Sequence, residues 1–285
     1  MTVLSVTQMR TDGFAALPCP LYVRPRLERV TKAWQKFTSL PRDVRTKLPY
    51  LPDNLTGNSG TGYEPPDPQK PDVRKHTYHV QHRDATWLIR KSREATPVAT
   101  WLANESLALI EELKPYVNDF GDAFEREFKV PGFKDTVMQG FDEWILRLLW
   151  YPPGYQAGDL IAKDHCDKGG GTIHLFETSA GVERLTLDTK EWVPFPVGAG
   201  ETAVFSGLRM QYVTSGESKA LYHRVVATEE TALYGRFSSV LFLNLAGVPY
   251  YDKSRLGSTQ NLSAGFNYDM PFDEFMHYFA YTHVA

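Results

Sequence analysis

Leu160-Ile161-Ala162-Lys163-Asp164-His165-Cys166-Asp167 is a short β run that ends in two potential metal ligands. Side chains alternate faces along a strand, so His165 and Asp167 point one way and Cys166 the other. From Glu143 onward the chain is written in similar units. The candidates are residues 144–151, 160–165, 172–177, 183–187, 201–205, 210–213, 220–226 and 236–244, separated by turn residues such as Gly154, Gly181, Pro194 and Gly207. Strands at this spacing predict a sandwich or barrel, the double-stranded β-helix (jelly roll) included.

Working toward the N-terminus, the grammar becomes helices and loops. Residues 25–40 carry Leu27, Val30, Trp34 and Phe37 at helical spacing, and Pro41 ends the run. Residues 48–72 hold Pro49, Pro52, Pro65, Pro66, Pro68 and Pro71, which reads as a loop covering the barrel mouth. Thr96-Pro97 opens a second helix with apolar Leu107, Leu109, Ile110 and Leu113; Pro115 ends or kinks it, and helix resumes to about Phe128. Residues 270–281 read as a last helix, capped by Asp269. The expected fold class is mainly β with helices (α+β). A helical cap, residues 1–142, packs on a jelly-roll core, residues 143–285, as one structural unit.

The chain has 285 residues, 42% of them hydrophobic, enough for a full core, and a net charge of −3 that argues against a nucleic-acid partner. The mildly basic runs 23–32 and 70–75 read as solvated surface. Two cysteines, Cys19 and Cys166, do not make a disulfide scaffold. The first 13 residues lack an apolar stretch of signal-peptide length, and residues 239–251 are interrupted by Asn244 and Pro249. The expectation is a cytoplasmic protein with no membrane partner; oligomeric state is not legible.

His223 follows His165 by fifty-eight residues, in the good β run Leu221-Tyr222-His223-Arg224-Val225-Val226. Two histidines and one carboxylate can occupy one face of an octahedron and leave three positions open, the ligand set of non-haem iron(II) oxygenases. A closed zinc site would more often offer four ligands, frequently cysteines. Arg236 and Ser238 share a strand face. A hairpin over residues 227–235 is expected to return their strand beside that of His223. An arginine buried there needs a partner: the far carboxylate of a dicarboxylate, or an internal acid in a structural ion pair. Arg147 shares a face with Leu149 and Tyr151, and would hold a substrate carboxylate or pair with an internal acid. His76, His79 and His82 invite a second metal on a helix, but Thr77, Tyr78 and Val80 favour a strand that scatters them as polar surface. His174 stays unassigned, because parity across Gly169–Gly171 is unsafe.

At this point the chain resembles the iron(II)/2-oxoglutarate-dependent dioxygenases of the isopenicillin N synthase-like branch. Gly13-Phe14-Ala15-Ala16-Leu17 resembles an early family strand, and residues 33–41 resemble its helix ending in Leu-Pro. Gly62-Tyr63 matches a Gly-Tyr that follows, and Leu146-Arg147-Leu148-Leu149-Trp150-Tyr151-Pro152-Pro153 resembles Leu-Arg-Leu-Asn-Tyr-Tyr-Pro-Pro. His165 to Phe176, His223-Arg224-Val225-Val226 and Arg236-Phe237-Ser238 resemble the ligand and co-substrate motifs in family order.

The resemblance implies that His165, Asp167 and His223 hold Fe(II), that Arg236 and Ser238 hold the C5 carboxylate of 2-oxoglutarate, and that Tyr151 touches the co-substrate. It implies oxidative decarboxylation of 2-oxoglutarate with O2, coupled to C–H oxidation of a small metabolite: hydroxylation, desaturation or cyclisation. An amino acid or a specialised-metabolite intermediate is the expected substrate, and ascorbate a possible helper. Leu149 stands where many members have asparagine, Trp150 replaces a tyrosine, and Lys168 with the glycine run alters the lip after the ligands. Asp167 argues against halogenation. The alternatives are a 2-oxoglutarate-independent iron oxidase of the same branch, a non-catalytic ligand-binding barrel, and a zinc hydrolase, for which no His-Glu-x-x-His is present.

Overall fold

The computed structural model describes residues 4–53, 60–67, 74–195, 201–248 and 269–275. Its strands are β1 (Phe14–Pro18), β2 (Tyr50–Leu51), β3 (Thr61–Glu64), β4 (His76–Gln81), β5 (Ile145–Tyr151), β6 (Leu160–His165), β7 (Gly171–Glu177), β8 (Val182–Leu185), β9 (Trp192–Pro194), β10 (Glu201–Ser206), β11 (His223–Val226) and β12 (Arg236–Phe242). They form two antiparallel sheets. The larger runs β1-β10-β7-β12-β5-β4-β3-β2 and the smaller β6-β11-β8-β9. The sheets line a shared cavity without closing into a barrel.

Alternation divides the larger sheet cleanly. Leu146, Leu148, Ile173, Leu175, Val204, Leu241, Tyr78 and Val80 belong to one core with the helices Arg24–Thr38 and Pro97–Phe128. Arg147, Leu149, Tyr151, Thr172, His174, Arg236, Ser238 and Val240, from the alternate positions, line the cavity. One strand pattern thus supplies both an apolar back and a polar front. Burying Trp34, Phe37, Tyr63 and Tyr78 together contributes roughly 2 kcal/mol per side chain.

The long helix has the start that its sequence announces. Thr96 Oγ1 accepts from the Ala99 amide at 2.9 Å, and Pro97 needs no hydrogen-bond partner in the first turn. Pro115 sits inside this one helix, which ends at Lys129 in the left-handed conformation, φ 54°. Arg26 joins it to the helix Arg24–Thr38 through Glu105 and Glu112, each at 2.7 Å. These half-exposed pairs orient the helices more than they stabilise them.

Several expectations change. Residues 210–213 are not a strand: they belong to the helix Leu208–Val213. The segment expected as a hairpin contains the helix Glu229–Tyr234, capped by Thr228, whose Oγ1 accepts from the Thr231 amide at 3.1 Å. It carries the chain from one sheet to the other, so β12 pairs with β5 and β7, not with β11. The N-terminal half also gives strands: β1 and β4 pair with β10 and β5, and β2 and β3 lie in the proline-rich segment. Residues 54–59 and 68–72 of that segment, and most of the expected last helix, lie outside the described residues.

Candidate active site

The smaller sheet positions both histidines. His165 closes β6 and His223 opens β11, directly opposite each other in register, with ring centroids 4.5 Å apart. Each ring uses Nδ1 on the backbone two residues earlier: His165 on the Lys163 carbonyl at 2.7 Å, His223 on the Leu221 carbonyl at 3.1 Å. A carbonyl only accepts, so both Nδ1 atoms carry the proton and both Nε2 lone pairs are released. Backbone fixing of the tautomer is the support that metal-bound histidines require.

Asp167 bridges to the larger sheet. Its Oδ2 accepts from Thr172 Oγ1 of β7 at 2.5 Å, leaving Oδ1 3.5 Å from His165 Nε2. The ligand atoms of His165, Asp167 and His223 all lie within 4.8 Å of one another, the one such group of three among the described residues. This donor set fits a divalent iron: two neutral imidazoles, one carboxylate oxygen, and room for further ligands. Burial would raise the Asp167 carboxyl, but His165 beside it, then His223 and the Thr172 hydroxyl, hold it well below the usual carboxylate range. Burial, then His165, push His223 down. His165 is pulled down by burial and raised overall by Asp167.

The loop behind Asp167 is held by the start of the helix Leu208–Val213. The amides of Gly207, Leu208 and Arg209 donate to the carbonyls of Gly170, Asp167 and Gly169 at 2.7, 2.8 and 3.0 Å. A Cβ at Gly207 would fall 2.2 Å from the Gly170 oxygen, so only glycine allows this approach. The glycine run after the ligands is thus an ordered clasp.

Arg236 and Ser238 are buried on β12, 1% and 2% exposed, facing the same cavity. Arg236 Nε donates to the Ser179 carbonyl at 3.0 Å, and Nη2 to the Glu177 carboxylate. The internal ion pair therefore exists, and it orients the guanidinium while Nη1 has no partner among the described residues. Ser238 Oγ lies 3.5 Å from His174 Nε2. Burial pushes His174 down to about 4, so it is neutral. Tyr151, opposite Arg236 in register, has its ring 5.7 Å from the guanidinium carbon.

Arg147 lies opposite Val240, with its guanidinium 4.5 Å from the Phe242 ring centroid. Arg147 therefore sits four residues along the β5/β12 ladder from Arg236, about 13 Å away. Lys75, read from sequence as solvated surface, lines this cavity too. Thr172, Glu177 and Lys75 had no sequence signal of function: their roles come from pairings across strands. Trp150 is outside the cavity, stacked on His76 at 4.5 Å, and Cys166 packs in a separate core. His76 and His79 lie on β4 and His82 in the short 3-10 turn after it, but His79 is buried and pairs with Glu64 at 3.1 Å, so it is not surface.

Residues 142–245 match the profile of the 2OG-Fe(II) oxygenase superfamily. A 2-oxoglutarate-dependent dioxygenase of Didymella fabae is 30% identical over 242 residues, covering 76% of this chain and 71% of the relative. A 2OG-Fe(II) oxygenase family protein of Caulobacter crescentus has the same fold, with TM-score 0.69 at 21% identity, over 94% of this chain and 89% of the other. So does Neurospora crassa T7H, whose structure holds alpha-KG and thymine, with TM-score 0.69 at 17% identity, over 96% and 88% of the two chains. With an iron-competent ligand trio in a jelly-roll cavity, the chain belongs to the 2OG-Fe(II) oxygenase superfamily and is a 2-oxoglutarate-dependent dioxygenase.

Proposed function

We propose that His165, Asp167 and His223 hold the iron, that Arg236 and Ser238 bind the C5 carboxylate of 2-oxoglutarate, and that Tyr151 walls its chain. The observation that carries this reading is the convergence of two released Nε2 atoms and one carboxylate oxygen on a cavity whose opposite wall bears a buried arginine. Iron and 2-oxoglutarate supply the oxidising chemistry with O2; the protein supplies orientation and exclusion of water. Glu177 and the Ser179 carbonyl hold the Arg236 fork in place before the co-substrate arrives. Leu149, Val182, Val225 and Phe205 give the cavity apolar walls that keep water from the reacting carbon.

The cavity is lined by buried side chains of both sheets, which suits a small molecule rather than a macromolecule. The thymine held by the Neurospora neighbour is of that size class. Strands from residues 1–142 flank those of residues 143–285 in the larger sheet, which supports folding as one unit.

Anaerobic titration of the apo-protein with iron(II) and 2-oxoglutarate tests the site. A visible charge-transfer band is expected, present with iron alone in neither reagent order and weakened by Arg236→Gln. Iron binding that survives loss of either His165 or His223 would overturn the ligand assignment.

A further inference from the structure

Arg147 and Lys75 line the same cavity as the candidate iron ligands, yet the co-substrate reading uses neither. The β5/β12 register separates Arg147 from Arg236 by four residues, about 13 Å. The cavity is therefore lined by cationic residues from two separate places on the ladder.

The second of these places has its own construction. Arg147 is anchored against Phe242, and His79 lies opposite it on β4. Arg147 and Glu64 act on Lys75, while Asp167, Glu64, Tyr151 and Tyr50 act on Arg147. Glu64 already accepts from His79 Nε2 at 3.1 Å. Glu64, itself half-exposed and engaged with His79, attracts both cations, and Asp167 attracts Arg147 as well. Lys75 makes no hydrogen bond or ion pair among the described residues. Burial, and then Arg147, hold its ammonium below the ordinary lysine range. A second anion between them would relieve that repulsion.

We propose that Arg147 and Lys75 form a subsite for an anionic group, a carboxylate, on the primary substrate, so that the enzyme oxidises a small organic acid. The acid is held at one end of the cavity, and a carbon farther along its chain is presented to the iron. This rests on the residue roles proposed above for the co-substrate.

The test measures binding, without turnover, to the iron-loaded protein with 2-oxoglutarate in the absence of O2. The probes are phenylacetate, benzoate and hexanoate, each against its own neutral amide. The acids are expected to bind more tightly than the amides, and Arg147→Gln and Lys75→Gln are each expected to weaken the acids about tenfold or more while leaving amides unchanged. Arg147→Lys should retain most acid binding and guards against a folding defect. Arg236→Gln is expected to lose 2-oxoglutarate, whereas Lys75→Gln keeps it. No preference for acids over amides in the wild type, or acid binding by Lys75→Gln and Arg147→Gln as tight as that of the wild type, overturns the subsite while the co-substrate reading stands. Loss of 2-oxoglutarate binding in Arg147→Gln but not in Arg236→Gln would overturn both.

Discussion

Thr172 Oγ1 donates to Asp167 Oδ2 at 2.5 Å, tying the loop carboxylate after β6 to the inner face of β7. That bond leaves Oδ1 as the oxygen for a metal. Thr172→Val is expected to keep the fold and weaken iron(II) binding roughly tenfold, and Thr172→Ser to restore it. Equal iron affinity in the valine variant would show that the loop alone orients Asp167.

Replacing Arg236 has consequences on two sides. Arg236→Gln should raise the 2-oxoglutarate dissociation constant by roughly 10- to 100-fold, the worth of a charge-assisted hydrogen bond, with iron binding preserved. It also strands the Ser179 carbonyl and Glu177, so the apo-protein should melt lower. Calorimetric titration and a melting curve separate the two effects. Unchanged co-substrate affinity would remove Arg236 from the clamp.

His79 makes stability fall with acid. Burial holds its imidazole at about 4 against an ordinary 6.5, with Glu64 raising it and Arg147 and Lys75 lowering it. As pH falls through 6.5 the unfolded chain takes up a proton that the folded chain refuses, so stability is lost until about pH 4. The loss reaches roughly 2 kcal/mol by pH 5. Urea unfolding at pH 7 and pH 5 should show a smaller difference for His79→Gln than for the wild type. Equal differences would mean that other groups govern the acid limb.

At Gly207 the backbone itself is the constraint. A Cβ there would meet the oxygens of Gly170 and Gly169 at 2.2 and 2.5 Å. Gly207→Ala is expected to cost at least ~2 kcal/mol and lower the melting temperature by several degrees. Because the neighbouring Leu208 amide holds the Asp167 carbonyl, iron affinity should fall with it. A melting point within a degree of wild type would show that the clasp can open without loss.

The ligand strand was legible because alternation and β-rich composition agreed, and residues 160–165 form a strand with the bounds read from sequence. The run at residues 210–213 was not: a short stretch with Met210, Tyr212 and Val213 suits a strand or a buried helix equally, and only the amide contacts of Gly207 to Arg209 decide. The helix in place of the expected hairpin did carry a signal, Thr228 followed by Glu229 and Glu230, a cap with acids in the first turn. Arg147, Tyr151, Arg236 and Ser238 could be placed by parity within single strands. Thr172 and Glu177 could not, since their partners lie on elements that one sequence does not pair.

The two sheets divide the chemistry between them. The histidines belong to the smaller sheet, and the arginine clamp to β12, fourth of eight strands in the larger and bonded on both sides. A clamp so enclosed cannot shift without disturbing β5 and β7. The smaller sheet carries its histidines against that fixed wall, and the Thr172–Asp167 hydrogen bond is one seam where the two halves of the site meet.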